Sequence, residues 1–191
     1  MKKIVLTMLV VAMFIALAPK AEAKVMDDGK NDRKGFFIGF GLGGGMTNLS
    51  GGGDSNTKGS FISDIKIGGG ITDKILLMYD GSVAYTKISG VNFYIFNFPV
   101  AAQWYVWKDL YIRPGFGMSY ARASTSVNGT SLSTDSKVSF GADFAAGYEF
   151  RFGKYFALSP ELVYHYSHIR SNISNGNAHS FGGQASMVWF F

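Results

Sequence analysis

The sequence predicts an all-β fold, an eight-stranded antiparallel up-and-down β-barrel that spans a membrane. Three observations predict it. Apolar and polar residues alternate with a period of two through most of the chain after residue 35. The alternating segments reach about ten residues, enough to cross a bilayer at a tilt. Aromatic residues gather toward the two ends of these segments, and no stretch in this region offers a convincing helical face.

The N-terminus has the order of residues typical of a secretory signal peptide. Two lysines precede an apolar run over residues 4–17, and Ala21-Glu22-Ala23 supplies the small residues of a cleavage site. Because this run is shorter than the roughly 20 residues of a transmembrane helix, we favour cleavage after Ala23 over a retained anchor. The chain then divides into a signal peptide, a flexible periplasmic lead and an outer-membrane barrel domain, over residues 1–23, 24–34 and 35–191.

The first four predicted strands each have one apolar face and one polar or glycine-bearing face. Their apolar faces carry Phe36, Ile38, Phe40 and Leu42, then Ile65 and Ile67, then Ile75, Leu77, Tyr79, Val83 and Tyr85, then Tyr94, Phe96, Phe98, Val100, Ala102 and Trp104. The opposite faces carry Gly39, Gly41 and Gly43, then Asp64 and Lys66, then Asp80 and Ser82, then Asn97 and Gln103. This alternation predicts half-buried strands.

The last four strands repeat the pattern. Their apolar faces carry Leu110, Ile112, Phe116, Met118 and Tyr120, then Phe140, Ala142, Phe144, Ala146, Tyr148 and Phe150, then Phe156, Leu158, Leu162, Tyr164 and Tyr166, then Phe181, Ala185, Met187, Trp189 and Phe191. The connections alternate between tight turns at 72–74, 107–109 and 151–154 and longer loops at 47–59, 124–136 and 169–178, with one short hairpin near Ser89-Gly90. This asymmetry predicts that both termini are periplasmic and that the longer loops are extracellular.

The inward faces predict a polar network that fills a narrow lumen. Its expected members are Asp64, Lys66, Asp80, Gln103, Arg113, Asp143, Glu149, Glu161 and His165. Charges in so narrow a space must be paired or hydrated, so we expect salt bridges, with the acidic partner of Arg113 left open. A structural plug is the favoured interpretation, and a narrow pore for small solutes is the alternative.

The chain resembles the small outer-membrane β-barrel family that includes the OmpA transmembrane domain and OmpX. The most specific element is the final strand, where Phe181, Met187, Trp189 and Phe191 are similar to the C-terminal signal read by the outer-membrane assembly machinery. The resemblance implies a Gram-negative-type outer membrane, with its lipids, lipopolysaccharide and assembly machinery as partners. It implies a structural or adhesin-like role, and the polar loops favour an extracellular glycan or matrix ligand.

No catalytic residues, cofactor or metal site is expected. The absence of cysteine excludes thiolate metal sites and disulfides, and scattered basic residues do not favour nucleic acid. His165-Tyr166-Ser167 is similar to the His-x-Ser of lipid A deacylases, but His168 replaces the usual Asn and no acidic residue follows. A lipid A-modifying hydrolase is therefore a less favoured alternative.

Overall fold

In the computed structural model, which describes residues 33–52, 54–127, 130–170 and 175–191, ten antiparallel β-strands follow one another along the chain. Their bounds are β1 Gly35–Gly51, β2 Asp54–Thr72, β3 Ile75–Ile88, β4 Val91–Trp107, β5 Leu110–Val127, β6 Thr130–Asp135, β7 Ser139–Tyr148, β8 Phe150–Phe152, β9 Phe156–Arg170 and β10 Asn175–Phe190. Within these ranges no helix is long and apolar enough to cross a membrane.

Eight of these strands pair in a ring. The pairing runs from β1 through β2, β3, β4, β5, β7, β9 and β10, and β10 pairs again with β1. The last contact joins Phe37 to Phe190 at one end and Gly51 to Gly176 at the other. Because each strand has two neighbours, the sheet has no free edge, which a structure in hydrocarbon requires. The predicted eight-stranded antiparallel barrel is confirmed.

The two remaining strands extend this ring. β6 pairs only with β5 and forms a hairpin beyond the barrel wall, from Arg122–Asp135 to Val127–Thr130. β8 continues β7 after Glu149 and pairs with β9. We name the two ends of the barrel by their connections: the turn end holds the turns after β2, β4 and β8, and the loop end holds the tips after β1, β3, β5 and β9.

The predicted bounds of the long loops are wrong, because most of the described residues in these segments belong to strands. Of the expected loops at 47–59, 124–136 and 169–178, the first is paired through β1 and β2 up to a short tip, and the second forms the β5–β6 hairpin. Their Ser, Thr, Asn and Gly residues lack an apolar face, so alternation does not reveal them as strands. Mutual backbone pairing still satisfies their donors and acceptors in water.

The outer face of the barrel is an apolar band. On β4 it runs through six outward residues, namely Trp104, Ala102, Val100, Phe98, Phe96 and Tyr94. Residues 94–104 rise about 3.4 Å each, so a strand tilted by roughly 40° spans about 26 Å with this face. That height matches the hydrocarbon core of a bilayer.

The lumen is layered. A turn-end apolar layer consists of Phe37, Leu76, Met78, Ala101, Tyr105, Tyr111, Ala157, Val188 and Phe190. A second apolar cluster consists of Ile62, Ala84, Ile95, Ala121, Ala145, Val163 and Ala178, and on β2 to β5 its members lie toward the loop end. Buried polar and charged side chains lie between them on these strands. The core of the protein is therefore a polar centre with apolar cover on both sides.

A charge placed on the middle of the apolar band tests the assignment of its face. Val100 is 64% exposed and lies on the outward face of β4. We expect Val100→Arg to destabilise the barrel by about 2–4 kcal/mol in lipid, since a cation at the bilayer midplane loses its hydration. Urea unfolding in phosphatidylcholine vesicles, followed by tryptophan fluorescence, measures the loss.

Leu132→Arg is the matched control for this substitution. Leu132 is 57% exposed but lies on the β6 hairpin beyond the barrel wall, where water solvates a new charge. We expect little change in its unfolding midpoint. Equal losses in the two variants would contradict the assignment of the band to lipid.

Candidate functional site

One carboxylate organises the polar centre of the lumen. Glu161 on β9 receives two hydrogen bonds from Arg113 on β5, each 3.0 Å long, and two from Lys66 on β2, also 3.0 Å each. The Tyr111 hydroxyl donates to it at 2.5 Å and the Gln184 amide at 2.8 Å. Four strands therefore meet at this side chain, and the structure assigns Glu161 as the main acidic partner of Arg113.

Two further carboxylates complete this charge cluster. Asp64 lies 3.1 Å from the Lys66 ammonium and accepts a hydrogen bond from Gln184. Asp80 lies 3.1 Å from Nε of Arg113, as an ion pair without aligned hydrogen-bond geometry. Buried ion pairs of this kind add little net stability, because desolvation offsets much of the attraction between the charges.

Glycines on the inward faces make room for these carboxylates. A Cβ atom at Gly41 would overlap the Asp64 carboxylate, and one at Gly115 would overlap that of Asp143. Small residues thus compensate for long ones in an eight-stranded lumen, where little free space exists.

Asp143 and His165 lie in the lumen but outside the hydrogen-bonded centre. They face each other across the β7–β9 register, and His165 Nδ1 lies 3.5 Å from the Ser82 hydroxyl. Among the described residues, Oδ1 of Asp143 and Nε2 of His165 have no hydrogen-bond partner. Gln103 accepts from Arg113 at 3.4 Å and donates to the Tyr105 hydroxyl at 2.8 Å, so it links the centre to the turn end.

Glu149 belongs to a separate cluster at the turn end. It accepts hydrogen bonds from Tyr105 at 2.5 Å, from Arg151 at 2.8 Å and from Arg33 at 3.2 Å. Arg33 also pairs with Asp109, and its guanidinium stacks on the Tyr105 ring at 3.7 Å. Burial alone would lower the pKa of Arg33, but the nearby Tyr105 and Glu149 outweigh it and raise this pKa.

The sequence analysis missed Arg33, which we expected in a flexible lead. In the sequence it is one cation among several in a polar segment, and only the fold brings Asp109 and Glu149 to it. Tyr105, Tyr111 and Ser186 were also missed. The alternation of residues places all three side chains inward. It does not predict that the two tyrosines donate to buried glutamates, or that the serine bonds to Lys66.

The His-x-Ser pair does not form a catalytic triad within the described residues. Ser167 donates to Asn97 at 2.6 Å, and both His165 and Ser167 are buried in the lumen, away from the lipid-facing surface. No carboxylate hydrogen-bonds to His165, so the orienting acid of a triad is missing. The described part of the chain also holds no group of three or more His, Asp or Glu residues arranged to bind a metal ion.

The loop end opens into a shallow cup of about 400 Å³. Leu49, Ile88, Phe93, Ala121 and Ile169 contribute apolar surface to it, and Asn56, Asp135, Asn175 and Asn177 contribute polar groups. Beside it, Arg122 forms two hydrogen bonds to Asp135, of 2.6 and 2.9 Å. Hydrogen bonding to Arg122 is the chief cause of a lowered pKa for Asp135.

Neutralising the central carboxylate tests the network. Glu161→Gln keeps the shape of the side chain but leaves Arg113 and Lys66 without their shared anion. We expect a loss of about 3–5 kcal/mol in unfolding free energy, the usual result of breaking a buried pair from one side. Urea unfolding of the refolded protein in vesicles measures it.

Asp135→Asn serves as the control, because it breaks an ion pair that is exposed to water. Exposed pairs contribute little, so its unfolding midpoint should stay near that of the parent protein. A loss for Glu161→Gln no larger than that of the control would show that Glu161 does not organise the lumen.

The comparisons with known proteins agree with this architecture. Residues 7–187 match the family described as outer membrane protein beta-barrel domain. This range begins within the predicted signal peptide, whose residues lie outside those described and whose cleavage stays a prediction. A search of the curated proteins finds no match.

Two solved structures share the fold. Neisserial surface protein A is 17% identical, with 82% of this chain and 97% of that chain covered and a TM-score of 0.59. Ail, the attachment invasion locus protein of Yersinia pestis, was solved in complex with the heparin analogue sucrose octasulfate; it is 12% identical, with 80% and 99% covered and a TM-score of 0.54. With its closed ring and apolar band, the chain belongs to the outer membrane protein beta-barrel domain family.

Proposed function

We propose that this protein is a non-conducting outer-membrane barrel with a structural or adhesin-like role, and that it presents its loop end outside the cell. The carrying observation is the burial of the lumen charges. Arg113 is 1% exposed, and Lys66, Asp64, Asp80 and Glu161 are at most 5% exposed. A water-filled pore exposes the charges that line it, whereas these charges contact only protein.

The narrow pore is the alternative function, and the packing counts against it. An ion in transit would have to separate Arg113 from Glu161 and also pass the apolar side chains on both sides of the centre. Breaking a buried pair costs several kcal/mol, and an apolar constriction excludes water. We therefore assign the lumen a structural role.

Single-channel recording in planar bilayers tests this assignment. We expect no resolvable conductance from the purified parent protein. The double variant Arg113→Ala/Glu161→Ala removes both partners of the central pair while conserving net charge. Because the apolar layers on both sides of the centre remain, we expect this variant to be non-conducting as well. A resolvable single-channel conductance from the parent protein would identify the protein as a pore.

The chemistry of the loop end supports a surface ligand that is anionic. Among the described residues, the segments at this end contain five cationic residues, Lys58, Lys87, Arg122, Lys137 and Arg170, and two acidic residues, Asp54 and Asp135. Ail, which shares the fold, was solved with a sulfated heparin analogue. A glycan that carries sulfate or carboxylate groups is therefore the class of extracellular ligand that we propose.

We also propose that the outer-membrane assembly machinery reads the last strand through Phe181, Met187, Trp189 and Phe191. In β10, Phe181, Met187 and Trp189 share the outward face of the strand, and the exposed Phe191 follows its last residue. Deleting Phe191 should lower the yield of folded protein in the outer membrane severalfold, because the terminal ring of the signal is lost. The fraction with boiling-dependent gel mobility measures this yield.

Asn128→Ala, a change between β5 and β6 in the sequence, is the control for the deletion. It leaves the last strand intact and should assemble like the parent. Equal yields from the two variants would show that the terminal phenylalanine is not part of an assembly signal.

A further inference from the structure

Two cations lie side by side on neighbouring strands at the loop end. Lys137, just before β7, forms an antiparallel bridge with Arg170, the last residue of β9, and the Lys137 amide donates to the Arg170 carbonyl at 2.7 Å. Residues paired in this way share one face of the sheet, with their Cβ atoms about 5 Å apart. Both residues are exposed.

This shared face is the outer wall of the barrel. Along β9 the outward residues alternate through Tyr164, Tyr166 and His168 to Arg170, while Ile169 packs inward against the loop-end apolar cluster. Because bridge partners lie on one face, Lys137 accompanies Arg170 on the outer wall. The pair therefore borders the lipid and not the cup inside the mouth.

Like charges directly opposed across two strands repel each other. Among the described residues, no acidic side chain pairs with Lys137 or Arg170. The third cation nearby is different, since Arg122 is already neutralised by Asp135. The Lys137–Arg170 pair thus has an uncompensated double positive charge at one point on the outer wall.

A row of rings lies below the pair, toward the middle of the barrel. Ring centroids are 6.5 Å apart between Phe116 and Phe140, 6.5 Å between Phe140 and Tyr166, and 5.2 Å between Tyr166 and His179. This row, which we call the aromatic shelf, crosses β5, β7, β9 and β10. Aromatic belts of this kind lie at the boundary between the acyl chains and the lipid headgroups.

Polar atoms lie at the shelf and also between it and the cations. The Tyr164 hydroxyl lies 2.8 Å from His179 Nδ1, and the Tyr166 hydroxyl donates to Asn177 at 3.0 Å. His168 Nδ1 lies 2.9 Å from the same Asn177 oxygen. The outer wall therefore changes, within one short stretch of β9 and β10, from rings to hydrogen-bonding groups to cations.

We propose that Lys137 and Arg170 bind the phosphate group of a lipid headgroup in the surrounding leaflet, while the aromatic shelf packs against its acyl chains. A phosphate oxygen cluster neutralises both cations at once, and Arg forms paired hydrogen bonds to it. Because the site is on the outer wall of the barrel, a lipid can bind there while its acyl chains remain in the membrane. The inference rests on the proposed orientation, in which the loop end meets the outer leaflet, where lipopolysaccharide supplies such phosphates.

Lipid binding to the purified full chain in neutral detergent tests the proposal. The probe is bisphosphorylated lipid A, compared with the same lipid after dephosphorylation, and affinity is measured by thermophoresis. We expect Lys137→Ala/Arg170→Ala to weaken binding of the phosphorylated lipid by about tenfold or more, as removal of two cations near an anionic headgroup implies. The same variant should leave binding of the dephosphorylated lipid unchanged.

Lys74→Ala/Lys154→Ala is the matched control, since it removes two exposed cations from the turn end. It should bind phosphorylated lipid A like the parent, and Lys137→Arg/Arg170→Lys should also retain binding. Boiling-dependent gel mobility verifies that each variant is folded. Equal losses in the two alanine pairs would overturn the site, because they would show a response to net charge alone.

Two competitors separate the sources of the anion. Inorganic phosphate at about 10 mM should leave lipid binding unchanged, because the shelf contributes only to a ligand with acyl chains. Displacement of lipid A by phosphate, or by sucrose octasulfate, would overturn the lipid assignment in favour of a free-anion or glycan site. The bilayer recordings are independent of this result, so a pore and a failed lipid site are distinguishable.

Discussion

The structure depends on the requirement that a narrow closed barrel bury charged side chains in its lumen. Glu161 meets this requirement by accepting hydrogen bonds from Arg113, Lys66, Tyr111 and Gln184, which come from three other strands. The ring of backbone pairs would close without this carboxylate, but the opposite walls would face uncompensated buried charge. The network therefore joins the walls across the lumen, where no backbone hydrogen bond can reach.

Because side chains fill the lumen, the functions that we propose lie on the surfaces of the barrel. The turn end is held by Arg33, which inserts between Asp109, Glu149 and the Tyr105 ring. The loop end carries an excess of cations around an apolar cup. Its outer wall adds the Lys137–Arg170 pair above the aromatic shelf. In the functions that we propose, a ligand in solution and a lipid in the membrane bind different faces of the same end.

The alternation of residues predicted most of the fold, because lipid and lumen impose opposite polarity on successive positions of every spanning strand. The prediction from alternation failed in the parts of the strands that extend beyond the membrane, where successive residues no longer differ in polarity. Strands continue to Gly51 and from Asp54 without an apolar face, and the sequence analysis interpreted them as loop. The position of Arg33 was not predicted for a related reason. This residue precedes the first strand, so no periodic pattern indicates where its side chain lies.

By itself the sequence determined the spanning strands, their number and the face that each residue takes, since these follow from local periodicity. It also determined which charges enter the lumen. Only the tertiary structure decided which of them meet, because Arg113 and Glu161 are 48 residues apart and belong to strands that do not pair with each other. Their contact depends on barrel closure and strand stagger, which are properties of the whole ring and not of any one segment.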